Sequence, residues 1–322
     1  MAALADPPPP AHTLDLRTIS VESIEPVLAE QTKSWIAELD WDFTPSANLV
    51  RRFVQMHALT GSALVSRADP NRTIGYSYYV CEEGKGLIGD LYILKQHRTA
   101  EFENALFQAS LNSMWQTPGV RRVESQLLML GDFPRHKLPY SHWLKCFPRL
   151  FLEAPMGVML PPRKLGPSIS IIPWTAAFQE ATGRLIAGAY QHHIDSHIND
   201  QYRSAAGARR FLTNIVQYPG CGAFFGPASV AAIDGNTLCG ASLASLVAHD
   251  VGHITQVCVA PSYQGTGLGY ELMRRSMEAL AAHGCRAVSL TVTAANQSAL
   301  RLYRQMGFEE RRAFSAYIWD TK

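Results

Sequence analysis

Gly265, Gly267 and Gly269 alternate with Thr266 and Leu268 at the end of the stretch Ala260-Pro261-Ser262-Tyr263-Gln264-Gly265-Thr266-Gly267-Leu268-Gly269. Glycine carries no Cβ, so a loop of this kind lets a large anion come close to its backbone N–H groups. A phosphate or pyrophosphate suits such a loop when a helix begins directly after it. The first helical turn leaves its N–H donors unpaired, with the positive end of the helix dipole behind them. Two familiar phosphate motifs are excluded. The dinucleotide fingerprint needs G-x-G-x-x-G and an acidic residue about twenty positions on, whereas the spacing here is G-x-G-x-G and no Asp or Glu ends a second strand there. A P-loop needs Gly-Lys followed by Ser or Thr, which is absent.

The elements that must position this loop are legible on both sides. Gly252 to Val259 is β-branched and apolar enough for a buried strand. Tyr270 to Leu280 places apolar residues at 272, 273, 277 and 280, the period of an amphipathic helix. Downstream, Arg286 to Thr293 alternates as a strand does, Asn296 can cap a short helix through Tyr303 and Met306, and Gly307-Phe308 ends it.

Gln264-x-x-Gly267-x-Gly269 resembles the acetyl-CoA loop of the GNAT superfamily of N-acetyltransferases, and Asn296, Tyr303 and Gly307-Phe308 resemble its closing pattern. The resemblance is clear over residues 168–322 and weaker before them. It implies an α/β fold with a mixed sheet and direct attack of a primary amine on the thioester of acetyl-CoA. It also implies backbone groups of Gln264, Gly265, Thr266, Gly267, Leu268, Gly269 and Tyr270 on the pyrophosphate. Val257, Cys258 and Val259, beyond a strand bulge, would face the pantetheine arm, with Asn296 as a further contact. Tyr303 matches the general acid of the family; a phenol with an ordinary pKa of ~10 stays protonated at neutral pH and can donate to a departing thiolate. Where several members carry a glutamate base, this chain has His253, whose imidazole, at an ordinary pKa of ~6.5, can do the same work. A water relay is the other route. The departure from the carboxylate pattern leaves the base the least specified part of the site. An acyltransferase for another acyl-CoA or a hydroxyl acceptor, or a CoA-binding sensor or scaffold without turnover, are the competing readings.

The chain is 322 residues long, and two domains of ~150 residues are the natural division. With 47% hydrophobic and 17% charged residues it reads as a globular protein, and a net charge of +2 points to neither nucleic acid nor an anionic membrane. Six scattered cysteines, without a C-x-x-C pair, suggest neither a zinc knuckle nor a disulfide framework and fit a cytoplasmic setting. No window approaches a transmembrane span. No metal is expected. His193 and His197 are four apart in the polar run from His192 to Asp200, but a metal site needs three or four convergent ligands. By the family resemblance this run borders the acceptor site.

An internal repeat organises the whole. Ile88 to Ile93 lies on Ile254 to Val259, Val120 to Val123 on Cys285 to Val288, and His142 to Phe147 on Tyr303 to Phe308. The expectation is a Pro-rich lead-in over 1–12, a degenerate GNAT-like domain over 13–160, a linker over 161–167 and a catalytic GNAT domain over 168–322. In the first copy Lys95 to Ala100 replaces the glycine loop, so its phosphate site is expected to be lost. The region 131–167 is dense in Pro and aromatics, and no strand is assigned within it; 13–21 is read as a strand and 176–198 as helical. The acceptor's identity and the oligomeric state are not encoded in these patterns.

Overall fold

The computed structural model describes residues 11–130, 138–157, 159–218 and 220–321; the first ten residues of the expected lead-in lie outside that set. Contacts group the chain into two compact units. One takes the chain up to Phe147 and again from Phe314; the other spans Pro148–Ala313. This partition differs from the expected break at 161–167, which lies inside the second unit.

The first unit runs β1 (Ala11–Asp15), α1 (Val21–Leu39), α2 (Thr44–Gln55), β2 (Gly61–Ser66), β3 (Thr73–Glu82), β4 (Lys85–Ile93), α3 (Ala100–Gln116) and β5 (Arg122–Gln126). The strand expected over 13–21 stops at Asp15, whose carboxylate accepts the Arg17 N–H and opens a short 3-10 turn. Ser20 then accepts the Ser23 N–H and starts α1. Strands follow in the order β1-β2-β3-β4-β5, antiparallel except for β4 and β5.

The second unit is built from β6 (Leu144–Pro155, from Pro148 on), β7 (Ile169–Pro173), α4 (Gln179–Ala189), α5 (Asp195–Ile198), α6 (Ala205–Gln217), β8 (Ala223–Phe224), β9 (Val230–Asp234), β10 (Thr237–Ala248), β11 (Val251–Val259), α7 (Leu268–His283), β12 (Ala287–Thr293) and α8 (Gln297–Gln305). Its sheet order is β6-β12-β11-β10-β9-β7, with β8 on β10 and only β11–β12 parallel. The last strand, β13 (Glu309–Asp320), carries residues 314–320 into the first unit, where Ala316–Asp320 pair antiparallel with β5. Tyr317 and Trp319, both fully buried, pack there on Phe107 of α3.

β6 forms in the Pro- and aromatic-dense stretch ahead of the expected linker, where the sequence reading assigns no strand, because its prolines do not interrupt the ladder. Pro148 lies just outside the pairing of Arg149–Pro155 with β12, and Pro155 is its last member. The helical stretch read over 176–198 is broken: α4 ends at Ala189 and His192 takes a left-handed φ of 61°. His193 and His197 therefore do not share one helix face.

α7 buries Leu268, Leu272, Met273, Met277 and Leu280. It lies close on the sheet because β10 and β11 present glycines beneath it. A Cβ at Gly240 would come within 2.8 Å of Leu272 Cδ1, and one at Gly252 within 2.6 Å of Leu280 Cδ1.

Candidate active site

β11 is the element that opens the site. Leu243 pairs with Gln256 and Ala244 with Ile254, so Thr255 is an extra residue, a bulge. The parallel pairing with β12 ends at Ile254–Leu290, although β11 runs on to Val259 and β12 to Thr293. Beyond Ile254 the two strands part, and the β12-facing side of residues 255–259 has no strand partner. Side chains take two of the freed carbonyls: Tyr190 donates its hydroxyl to Val257 O (3.3 Å), and Gln264 its amide to Val259 O (3.3 Å).

The glycine loop leads from this strand into α7. Gly265 and Gly267 hold φ of 77° and 89°, a region that costs an L side chain energy, and Gly267 is the N-cap residue with no side-chain cap. The first helical hydrogen bond runs from Glu271 N–H to Gly267 O (3.1 Å). The donors of Leu268, Gly269 and Tyr270, ahead of it, have no carbonyl one turn back. Split strand and open helix end face one cavity of about 430 Å³. Its lining includes Val257, Cys258, Val259, Gln264, Gly265, Gly267, Gly269, Tyr270, Asn296 and Tyr303, so most of the residues expected at a donor site converge there. Thr266 and Leu268 do not line it; Thr266 turns its hydroxyl back to Tyr263 O (2.7 Å) and Leu268 is fully buried. The cavity thus gathers backbone donors of a helix end, a freed strand edge and a tyrosine.

Tyr303 projects from α8, is 7% exposed, and packs against Phe308 at 5.9 Å between ring centroids. Burial, and secondarily the charge of Asp195, raise its pKa above the ordinary phenol value. Asn296 caps α8, accepting the Ala299 N–H at 3.2 Å, and its amide nitrogen stands 3.4 Å from His193 Nε2. Its two roles, helix cap and cavity wall, coexist.

His253 lies elsewhere. It does not line the cavity; it is 5% exposed, its Nδ1 is 2.9 Å from Ser289 Oγ, and its ring stacks on Phe151. Burial pushes its pKa down to about 4. Cys258 does line the cavity, but burial pushes its thiol up to about 12, and all six cysteines are free. A thiol so protonated at neutral pH is a packing residue rather than a nucleophile.

Two lining residues, Tyr190 and His193, belong to a polar cluster that the sequence reading named only through the run from His192 to Asp200. His193 lines the cavity, with Nδ1 3.2 Å from the Asp195 N–H and 3.6 Å from Asp195 Oδ2. Thr293 donates its hydroxyl to Asp195 Oδ1. Tyr190 takes a hydrogen bond from Gln256 Nε2 (2.9 Å), whose Oε1 accepts from Tyr202 (3.1 Å). These residues lie up to a hundred positions apart, and only the polarity of 192–200 hinted at them. Arg163, assigned to a linker, also lines the cavity. Among the described residues, no group of three or more His, Cys, Asp or Glu is placed to hold a metal ion, and no helix is long and apolar enough to cross a membrane.

The first unit repeats the frame without the opening. Gly89 is the bulge of β4, and its parallel pairing with β5 stops at Ile88–Ser125, the position matching Ile254–Leu290. The helix that follows is closed: Thr99 accepts the Phe102 N–H (3.2 Å) as the N-cap of α3, with Glu101 and Glu103 in the first turn. The cations beside it are engaged, Lys95 with Glu38 (3.0 Å) and Arg98 with Glu103 (2.8 Å) and the carbonyls of Met129 and Leu130. His142, laid on Tyr303 by the repeat, stands in a turn against Trp143, on no helix.

Comparison with known proteins places this geometry. Residues 190–308 match the Acetyltransferase (GNAT) family. The N-alpha-acetyltransferase MAK3 of Arabidopsis thaliana is 34% identical over 68 residues, which are 21% of this chain and 36% of that protein. The chain spans only about a third of the length of the first curated relatives it matches, 35% and 36%. Among solved structures, a GCN5-related N-acetyltransferase from Sphaerobacter thermophilus aligns over 97% of this chain and 96% of its own, with TM-score 0.65 and 14% identity. A tandem GNAT protein from the clavulanic acid biosynthesis pathway aligns over 97% and 99%, with TM-score 0.64 and 12% identity. At such identities the likeness shows the fold alone, a tandem GNAT architecture.

Proposed function

We propose, from the match of residues 190–308 to the GNAT family of acetyltransferases, that the second unit transfers the acetyl group of acetyl-CoA to a primary amine. One observation carries the reading: the uncapped N-terminus of α7, the freed edge of β11 and the phenol of Tyr303 open into a single cavity.

Acetyl-CoA supplies the acyl group as an activated thioester. The N–H groups from Gly265 to Tyr270 and the α7 dipole would hold its diphosphate, and Val257, Cys258, Val259 and Asn296 its pantetheine arm. Tyr303 keeps its proton across the neutral range and donates it to the sulfur that leaves. The base is assigned to His193 rather than to the His253 of the sequence reading. His253 is outside the cavity lining. His193 lines the cavity, and its Nδ1 accepts the Asp195 N–H (3.2 Å), which leaves the neutral ring's own proton on Nε2. A proton taken at Nδ1 replaces that contact and leaves an imidazolium beside the carboxylate of Asp195, itself fixed by Thr293. The reaction belongs in a reducing, cytoplasmic compartment, which six free thiols support.

A free-thiol assay with acetyl-CoA and a panel of amines tests the reading. Peptide N-termini come first, because a relative named as an N-alpha-acetyltransferase aligns with part of this chain; polyamines and amino sugars follow. Release of CoA dependent on one amine class supports transfer. Tight acetyl-CoA binding without release across the panel would instead favour a CoA sensor.

A further inference from the structure

Among the described residues lining the cavity, Arg163 is the only lysine or arginine. It is exposed, yet held in place. Its backbone N–H donates to Glu271 Oε2 (3.2 Å), and Tyr270 donates its hydroxyl to Pro161 O (3.1 Å). Two hydrogen bonds thus strap residues 161–163 to the first turn of α7, while Leu165 and Ile169 pack with Leu268 and Leu272. The carboxylate of Glu271 is already matched by Arg274 (2.5 Å) and Arg275 (3.3 Å).

The guanidinium has only neutral partners. Its carbon lies 4.2 Å from the centroid of the Tyr270 ring, and Nη2 donates to Gln305 Oε1 (3.0 Å). Among the described residues no carboxylate pairs with it. It also sits over the open helix end: a Cβ on Gly267 would be 3.2 Å from Arg163 Cδ and 3.8 Å from Nη1. An uncompensated, oriented guanidinium therefore stands over unpaired backbone donors. A planar fork of N–H donors matches a phosphate better than it matches an amide oxygen.

We propose that Arg163 clamps the diphosphate of acetyl-CoA, exchanging its hydrogen bond to Gln305 for phosphate oxygens. The proposal rests on the acetyl-CoA reading above. It makes the segment ahead of β7 part of the donor site. α7 offers N–H groups from beneath; Arg163 closes from above, with the Tyr270 ring holding the guanidinium flat.

Calorimetry on the full chain tests this with two probes, acetyl-CoA and 3′-dephospho-acetyl-CoA, at low and high salt. Arg163→Gln is expected to weaken both by about 10–100-fold, the size of a lost charge-assisted pair, and to flatten the salt dependence. Arg163→Lys, keeping the charge without the fork, falls between. Gln305→Ala, removing only the resting partner, binds as well as the wild type or better. Thermal melts of each variant establish that the fold is retained. Arg163→Gln binding within twofold of the wild type overturns the clamp. A loss seen with acetyl-CoA but not with the dephospho probe overturns the diphosphate assignment in favour of the 3′-phosphate. Gln305→Ala losing as much affinity as Arg163→Gln makes the contact a structural brace and also overturns it. A wild-type chain that binds neither probe defeats the acetyl-CoA reading itself, and the clamp with it.

Discussion

Tyr303 and His253 are both buried, but only Tyr303 lines the cavity. Burial and the charge of Asp195 both keep the Tyr303 hydroxyl protonated. Tyr303→Phe removes one oxygen, so acetyl-CoA affinity should stay near the wild-type value while the rate falls about 10²–10⁴-fold, the usual cost of a lost general acid. An unchanged rate, with chemistry limiting, would leave Tyr303 a packing residue. His253 belongs to the fold. Its folded pKa of about 4 lies below the ordinary ~6.5, so the unfolded chain binds the extra proton between those values. Stability is therefore full above pH 6.5 and falls as pH drops toward 4, by up to ~3 kcal/mol from this group. His253→Gln should flatten that acid loss in urea titrations at pH 7 and 4.5. It should also spare catalysis, whereas His193→Gln should lower the rate about 10²–10⁴-fold, the usual cost of a lost general base. A rate that survives in His193→Gln and is lost in His253→Gln would return the base to His253.

At the scale of elements, the comparison between α7 and α3 is the informative one. Both follow a bulged strand whose parallel pairing stops at the same place. One begins at Gly267 in a left-handed conformation with its donors open; the other begins at Thr99, whose hydroxyl closes a donor, with two glutamates behind it. The dipole is the same in both, and on the proposed reading only the first would take a diphosphate. Gly267→Val strains the backbone at φ 89° and places a branched side chain against Arg163. Acetyl-CoA binding should weaken by a few kcal/mol, about the worth of several charge-assisted hydrogen bonds. Wild-type affinity by calorimetry in a folded variant would reject the loop as the diphosphate site.

For the molecule as a whole, the closed α3 end leads to an expected stoichiometry of one acetyl-CoA per chain. Equilibrium titration reads it directly, and a second saturable site of similar affinity in residues 12–160 would contradict it. The chain's last strand ties its C-terminus to the stability of its first unit. Trp319 is fully buried against Phe107, donates its indole N–H to Pro139 O (2.8 Å), and lies some two hundred positions from these partners. Trp319→Ala should cost the first unit ~3–5 kcal/mol, as large aromatic truncations in cores do. Urea unfolding measures it; a loss under 1 kcal/mol would mean that the strand is dispensable.

Local chemistry was legible in the order of residues. Glycine spacing, a β-branched strand before it and a helical period after it are short-range constraints, and each acts within about ten residues. The donor loop, Asn296 as cap, Tyr303 on its helix and the repeated strand frame could therefore be read directly. The sequence reading places no strand where β6 lies, since sequence does not say which N–H groups a ladder will need; pairing with β12 leaves its prolines at the ends. The last strand reads as part of the domain of residues 168–322, whereas its end belongs to the first unit, because Trp319 and Phe107 meet only through the sheet order. The base is a further case. His253 and His193 are both histidines near polar neighbours in sequence, and burial alone puts one behind the sheet's packing and the other on the cavity wall beside Asp195. Arg163 depended on the same thing. A charged residue in a Pro-rich stretch acquires a role only when two hydrogen bonds to α7 hold that stretch over a helix end, and those contacts join residues more than a hundred positions apart.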